Sequence, residues 1–344
     1  MSSGLKILSA GLHTTVQDLG RTGWQRLGVP VSGALDGIAL RLGNALVGNP
    51  PGMAGLEFLY SGAELEIVAD AVRIALTGSG ATLLSRAENG RAVVGWQSVR
   101  LERGEQVRIV LGSDAVCAYL AVEGGIAVPP VLGSASTYVR AALGGLDGRA
   151  LRSGDVVPLA IARALPRAEL RLPTPPAGAA GAPVRVVLGP QRDWFTDDAV
   201  ATLLAAEFRV SKNADRMGMR LDGPLLRHRR GWDIVSDAIA TGAIQVPGSG
   251  QPILLLADHQ TTGGYPKIAT VISADLPVVG RRRPGDTIRF AAVTIEDAER
   301  LAREQQRWLT GLIAALEPAP AAGGLDLASL YAENLVSGVV SGSE

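Results

Sequence analysis

One seven-residue phrase occurs three times in this chain and restricts the folds open to it. Arg103-Gly104-Glu105-Gln106-Val107-Arg108-Ile109, Ser153-Gly154-Asp155-Val156-Val157-Pro158-Leu159 and Pro284-Gly285-Asp286-Thr287-Ile288-Arg289-Phe290 each set a glycine and an acid ahead of a β-type run. Glycine supplies the positive φ of a tight corner and the acid suits the turn, so each phrase predicts a hairpin corner feeding a strand. Three copies predict repeated β-barrel construction and not a parallel α/β sheet. Alternating or apolar runs add strands at Glu64 to Val68, Val72 to Thr77, Pro252 to Ala257 and Ile268 to Ile272.

Helices are fewer. Leu35 to Val47 carries Leu35, Ile38, Leu42 and Leu46 near one face and stops at Gly48. Thr196 can cap a second helix that buries Val200, Leu203 and Leu204, and Thr294 starts a third that runs through Leu301 and Trp308 towards Leu316. The class is therefore mainly β with a few helices (α+β). The 344 residues exceed one typical domain, and Pro, Ala and Gly crowd 166–182. Two units are expected, 1–165 and 183–316, with a linker at 166–182 and a tail at 317–344 that is modestly apolar from Leu325 to Val340.

Composition narrows the function. A single cysteine, Cys117, excludes an internal disulfide, and neither histidines nor carboxylates cluster at metal-ligand spacing, so no metal site is expected. The 33 basic and 33 acidic side chains cancel, which gives no electrostatic footprint for nucleic acid or an anionic membrane. No window approaches the ~18 apolar residues of a membrane span, and the amino terminus has no export signal, so a cytoplasmic location is expected.

The densest polar segment is Asp258-His259-Gln260-Thr261-Thr262-Gly263-Gly264-Tyr265-Pro266-Lys267, a loop between two apolar strands. Hydroxyls, an amide, a carboxylate, a phenol and an ammonium converge there, and the double glycine permits close backbone approach to a ligand. The segment reads equally as an ordinary hydrogen-bonded loop with Lys267 facing solvent. A smaller relative, Thr14-Thr15-Val16-Gln17-Asp18-Leu19-Gly20-Arg21, lies near the amino terminus. Ser134 in Gly133-Ser134-Ala135-Ser136-Thr137, with Arg140 beyond it and Arg149 in the next glycine loop, suits an anionic ligand or simply a surface turn. Asp215 and Arg216 read either as ligand groups or as an ion pair that orders its own turn. The chain has no P-loop, no strand-linked G-x-G-x-x-G, no G-x-S-x-G elbow and no lysine flanked by methionines. If nucleotide or biotin chemistry is involved, another chain is therefore expected to bring part of it.

Several of these phrases together resemble one family. Thr14 to Arg21, Ser32-Gly33-Ala34-Leu35-Asp36, Leu46-Val47-Gly48-Asn49, Gly124-Gly125-Ile126, Gly189-Pro190-Gln191, Asp215-Arg216-Met217-Gly218, Gly242 to Gly248 and Gln260 to Lys267 occur in the order of the family of C-type 5-oxoprolinase subunits, also described as allophanate hydrolase subunit 2 or biotin-dependent carboxyltransferase type. Gly37 departs from the family's usual proline, and Ala135 interrupts its usual Ser-Arg-Ser.

The resemblance implies two cyclophilin-like β-barrel units and a complex with B-type (allophanate hydrolase subunit 1-like) and A-type subunits. It implies ATP-dependent opening of 5-oxo-L-proline to L-glutamate, with ATP shared with or bound by the partners. Its alternative is a carboxyltransferase acting on urea or a related amide, with biotin on another chain; a non-catalytic regulatory subunit is a third reading. An amide carbonyl is resonance-stabilised, so attack needs donors for developing charge, a nearby cation and a proton carrier. Lys267, with Asp258 and Asp18 as proton carriers, is the catalytic set expected. Thr14, Thr15, Gln17, Arg21, Gln260, Thr261, Thr262, Gly263, Gly264, Tyr265, Ser134, Arg149, Asp215 and Arg216 are the expected substrate-binding set.

Overall fold

The computed structural model describes residues 3–85, 92–113, 116–176 and 181–320; Leu325 to Val340 lies outside them. The three repeated phrases fold alike. Gly104, Gly154 and Gly285 have φ of 86°, 92° and 96°. The acid that follows turns back to accept from the amide three residues earlier: Glu105 from Glu102, Asp155 from Arg152 at 2.7 Å and Asp286 from Arg283 at 2.8 Å. Each glycine amide donates to the neighbouring strand at 2.8 Å, to Ile67, Ile7 and Val210 in turn. The strands that leave these corners are Gln106–Val110, Val156–Pro158 and Thr287–Ile288, but each pairs with strands distant in sequence and not with one just before its corner, so the corners feed strands without being the expected hairpins.

In the first half a six-stranded sheet faces a seven-stranded one. Leu5, Ile7, Leu65 and Val107 of the former pack on Leu56, Phe58, Ile74 and Leu120 of the latter in one buried cluster. Strand side chains alternate between faces, so these residues point inward while Thr15, Glu57, Tyr119 and Thr77 form a row on the outer face, fixed by the registers Thr15↔Glu57, Tyr119↔Glu57 and Tyr119↔Thr77. The second half is one eight-stranded sheet whose edge strands, Thr287–Ile288 and Phe290–Ala292, are separated by Arg289 alone. Edges so near in sequence require the sheet to curl round on itself, and it forms a nearly closed barrel filled by residues such as Val186, Val210, Leu221, Ile244 and Ile268.

Helix α1 (Gly37–Leu46) lies against the outer face of the seven-stranded sheet, capped by Asp36, which accepts from the Ile38 and Ala39 amides at 3.1 Å. Its Leu40 and Leu42 belong to the same buried cluster as the barrel residues, so the two halves share a core. Helix α2 (Asp197–Ala205) is capped by Thr196, as its sequence predicts. The five-residue α3 (Leu276–Gly280) is too short to leave a periodic signal, and α4 (Ile295–Ala314) begins at Thr294 and stops two residues before Leu316. Among the described residues no helix is long and apolar enough to cross a membrane.

The expected linker is partly structural. Leu170–Arg171 is a strand that joins the seven-stranded sheet and pairs with Glu317–Pro318, the start of the expected tail. Glu169 accepts from the buried Arg73 at 3.0 Å and from Ser98 at 2.6 Å, and Leu172 is buried. The prolines that follow hide this two-residue strand from a pattern search.

Candidate active site

The outer polar row begins the site. Glu57 is fully buried in the apolar run Gly55–Leu59, and a buried carboxylate needs a full set of partners. Its Oε2 accepts from the Leu35 amide at 3.0 Å and from the Tyr119 hydroxyl at 2.6 Å, and its Oε1 accepts from Arg216 Nη1. Arg216 comes from the other half of the molecule. Its Nε and Nη2 grip Asp258 Oδ2 and Oδ1 at 2.9 and 3.0 Å, and Nη2 also donates to Gly33 O at 2.7 Å. Burial works against the Arg216 charge, but the fields of Glu57 and then Asp258 outweigh it and push the guanidinium pKa up. Burial likewise pushes the Tyr119 phenol well up, which keeps the proton it donates to Glu57.

This geometry revises the Asp215–Arg216 pair. Asp215 Oδ1 accepts from the Met217 and Gly218 amides at 2.7 and 3.3 Å, and its Oδ2 lies 3.6 Å from Arg140 Nη2. Arg216 instead ties two distant carboxylates together, and Asp258 has both oxygens committed to it.

The amino-terminal phrase builds a second buried cluster. Asp18 Oδ1 accepts from the Gly20 amide at 2.8 Å and from the hydroxyls of Ser134 and Ser136, while Oδ2 accepts from the Ala135 amide at 2.7 Å. Arg21, only 1% exposed, donates to Ser136 O through Nη2 and to Val131 O through Nε at 3.5 Å. Burial pulls the Arg21 pKa down, against the fields of Asp18 and Asp258. Gln17 Nε2 donates to Thr137 O at 3.1 Å and to Thr15 Oγ1 at 3.0 Å. Thr14 points to the opposite face of its strand from Thr15 and donates to Ala10 O, so the two threonines do not serve one ligand. A Cβ at Gly144 would stand 2.1 Å from Ser136 O, so only glycine lets the Gly133 to Arg149 loop close on this cluster. Ser134 is thus a partner of Asp18, and Arg149 is paired with Asp155 at 2.7 and 2.9 Å.

A cleft of about 470 Å³ opens on the barrel. Gln260 and Tyr265 of the dense polar loop line it, together with Gln245, Asp215, Arg220 and Lys212. Arg140 reaches it from the first half. Gln245 is 2% exposed; its Oε1 accepts from Gln260 Nε2 and its Nε2 donates to Tyr265 O, both at 3.4 Å. A Cβ at Gly263 would stand 2.8 Å from Gln245 Nε2, so the double glycine makes room for this amide. Trp232 lies beside the rim, its ring 6.4 Å from that of Tyr265.

The rest of the loop has other partners. Thr262–Gly263 pairs with Asp237–Ala238 as a small two-stranded flap, Thr261 O accepts from the Ile239 amide, and Gly264 O accepts from the Ile234 amide. Lys267 registers beside Gln245 but does not face solvent; its side chain is 2% exposed and its Nζ donates to Asp237 Oδ2 at 2.8 Å. That hydrogen bond, with the Ala238 amide, holds the Asp237 carboxyl below the usual range. Burial pulls the His259 pKa below its ordinary value, and the ring has Nδ1 on Gln260 O at 2.6 Å and Nε2 on Thr241 Oγ1 at 3.1 Å.

Sequence reasoning missed Glu57, Tyr119, Gln245, Lys212 and Arg220. Glu57 alone carried a signal, an acid inside an apolar strand. The others depend on which strands become neighbours.

A barrel joined to a double sheet through a shared core and a buried ion network defines a class. Residues 27–292 match the model of the carboxyltransferase domain, subdomain A and B, and the chain belongs to that family. Within it, the C-type 5-oxoprolinase subunit of Escherichia coli (strain K12) is 35% identical over 308 residues, 90% of this chain and 97% of that one. The C-type 5-oxoprolinase subunit of Haemophilus influenzae is 36% identical over 309 residues, 89% of this chain and 96% of that one. The Kluyveromyces lactis urea carboxylase structure superposes with a TM-score of 0.81 at 28% identity, covering 90% of this chain. This chain spans 29% of that longer protein.

Proposed function

We propose that the chain is the C-type subunit of an ATP-dependent 5-oxoprolinase, working with B-type and A-type subunits to open 5-oxo-L-proline to L-glutamate. The observation that carries this is the Gln245–Gln260 pair in the cleft. A lactam presents one N–H and one C=O in a plane, and carboxamides offer the matching acceptor and donor. The cleft of about 470 Å³ has room to admit such a ligand. Lys267, the register partner of Gln245, is assigned the fixed positive field near the carbonyl. Asp18 and Asp258 are assigned to holding the geometry, because their oxygens already accept from protein donors.

ATP provides the phosphoryl group that makes a lactam carbonyl electrophilic. The small amide is assigned to this cleft and the nucleotide to a partner subunit. The likeness to urea carboxylase supports a second reading, a carboxyltransferase for urea with biotin carried on another chain.

Calorimetric titration of 5-oxoproline into the complex of this chain with its B-type partner tests the cleft. Saturable binding is expected, weakened about tenfold in Gln245→Ala, as loss of one buried hydrogen bond implies. Wild-type affinity in that variant would remove the pair from the site.

A further inference from the structure

We propose that Arg140 is the specificity-determining residue of the cleft, selecting an amide that carries a carboxylate over an uncharged one. The inference rests on the reading of the cleft as the lactam site. Among the described residues, every other one of the lining lies between 212 and 265, and Arg140 brings in the first half of the molecule. Among the described residues the lining holds three cations, Arg140, Lys212 and Arg220, against one carboxylate, Asp215. That surplus has no use for urea, which is neutral, and suits an amide acid.

The backbone beneath Arg140 is fixed. Arg140 sits in the helical turn Val139–Ala141, closed by Tyr138 and Leu143, whose amides donate to each other's carbonyls at 2.8 and 3.2 Å. The root of the same loop is held by the buried phrase from Gln17 to Arg21: Asp18 on Ser134, Ala135 and Ser136, Arg21 on Val131 and Ser136, and Gln17 on Thr137. These are positioning residues, which gives the phrase a purpose that contact with substrate does not.

The tip, by contrast, is available. Arg140 is 62% exposed and only 3.6 Å from Asp215, itself 60% exposed, a pair that water screens heavily. Asp215 already accepts from two backbone amides and does not need the guanidinium. A ligand carboxylate can replace Asp215 in a two-pronged contact with the guanidinium fork.

The test compares dissociation constants of 5-oxoproline, its primary amide and 2-pyrrolidinone for the complex of this chain with its B-type partner. Wild type should prefer the acid by roughly tenfold or more, the range of one charge-assisted hydrogen bond. Arg140→Gln should bring the ratio near one and leave the neutral lactams unchanged, with Arg140→Lys in between. An unchanged ratio in Arg140→Gln, with the acid still bound, overturns the assignment and leaves the lactam site standing. Failure of wild type to bind any of the three overturns both.

Discussion

Arg216 and Asp258 meet through two parallel hydrogen bonds of 2.9 and 3.0 Å, and the third arm of the same guanidinium reaches Glu57 in the other half of the molecule. One cation therefore bridges two buried acids and fastens the barrel to the double sheet. Arg216→Met removes the cation and leaves both carboxylates stranded, at an expected cost of about 3–5 kcal/mol. Urea denaturation of the purified chain measures it, and a loss under about 1 kcal/mol would show that the acids do not depend on Arg216.

Acid should weaken the fold. Burial holds both His13 and His259 below the ordinary value of 6.5, with the Arg216 charge adding to the effect at His13. The unfolded chain takes up these protons near pH 6.5, whereas the folded chain resists them until lower pH. Stability is thus full above about pH 6.5 and declines as pH falls towards the folded-state values. A Tm series from about pH 8 to 5 should show that decline, partly flattened in His259→Gln. Equal slopes in the two proteins would mean that His259 does not contribute.

Asp18 organises the loop that carries Arg140. Asp18→Ala should speed amide exchange at Ala135 and Ser136 by an order of magnitude or more while the barrel strands keep their protection, since roughly one to two kcal/mol of loop stability goes with the lost acceptors. Slowed or unchanged exchange there would detach Asp18 from the loop.

The three Gly-acid phrases made the β construction legible because each corner is local: Gly285 and Asp286 need only their own neighbours to close the turn. The caps at Thr196 and Thr294 were readable for the same reason. The site was not. Gln245 and Gln260 are fifteen residues apart, and only the pairing of Ala243–Gln245 with Lys267–Val271 brings the loop back to them. Arg140 faces residues more than seventy positions away. The dense polar loop was found by its composition, but composition could not tell that Gln260 and Tyr265 enter the cleft while Thr261 to Gly264 turn to the flap.

Lys267 tests the electrostatic part of the proposal. Lys267→Met preserves volume, and Asp237, 48% exposed, can rehydrate, so stability should change by no more than about 1 kcal/mol. Loss of the fixed charge beside the carbonyl should nevertheless lower kcat by roughly ten- to a hundredfold in the assembled enzyme. Full activity would remove Lys267 from the chemistry.

Whether the cleft serves lactam opening is decided by ADP release from this chain combined with the proposed B-type and A-type subunits, supplied with ATP and, in parallel, with 5-oxoproline and with urea. ADP release should depend on 5-oxoproline, be absent with urea and fall in Gln245→Ala. No turnover of 5-oxoproline with all three subunits present, or turnover of urea in its place, would contradict that role.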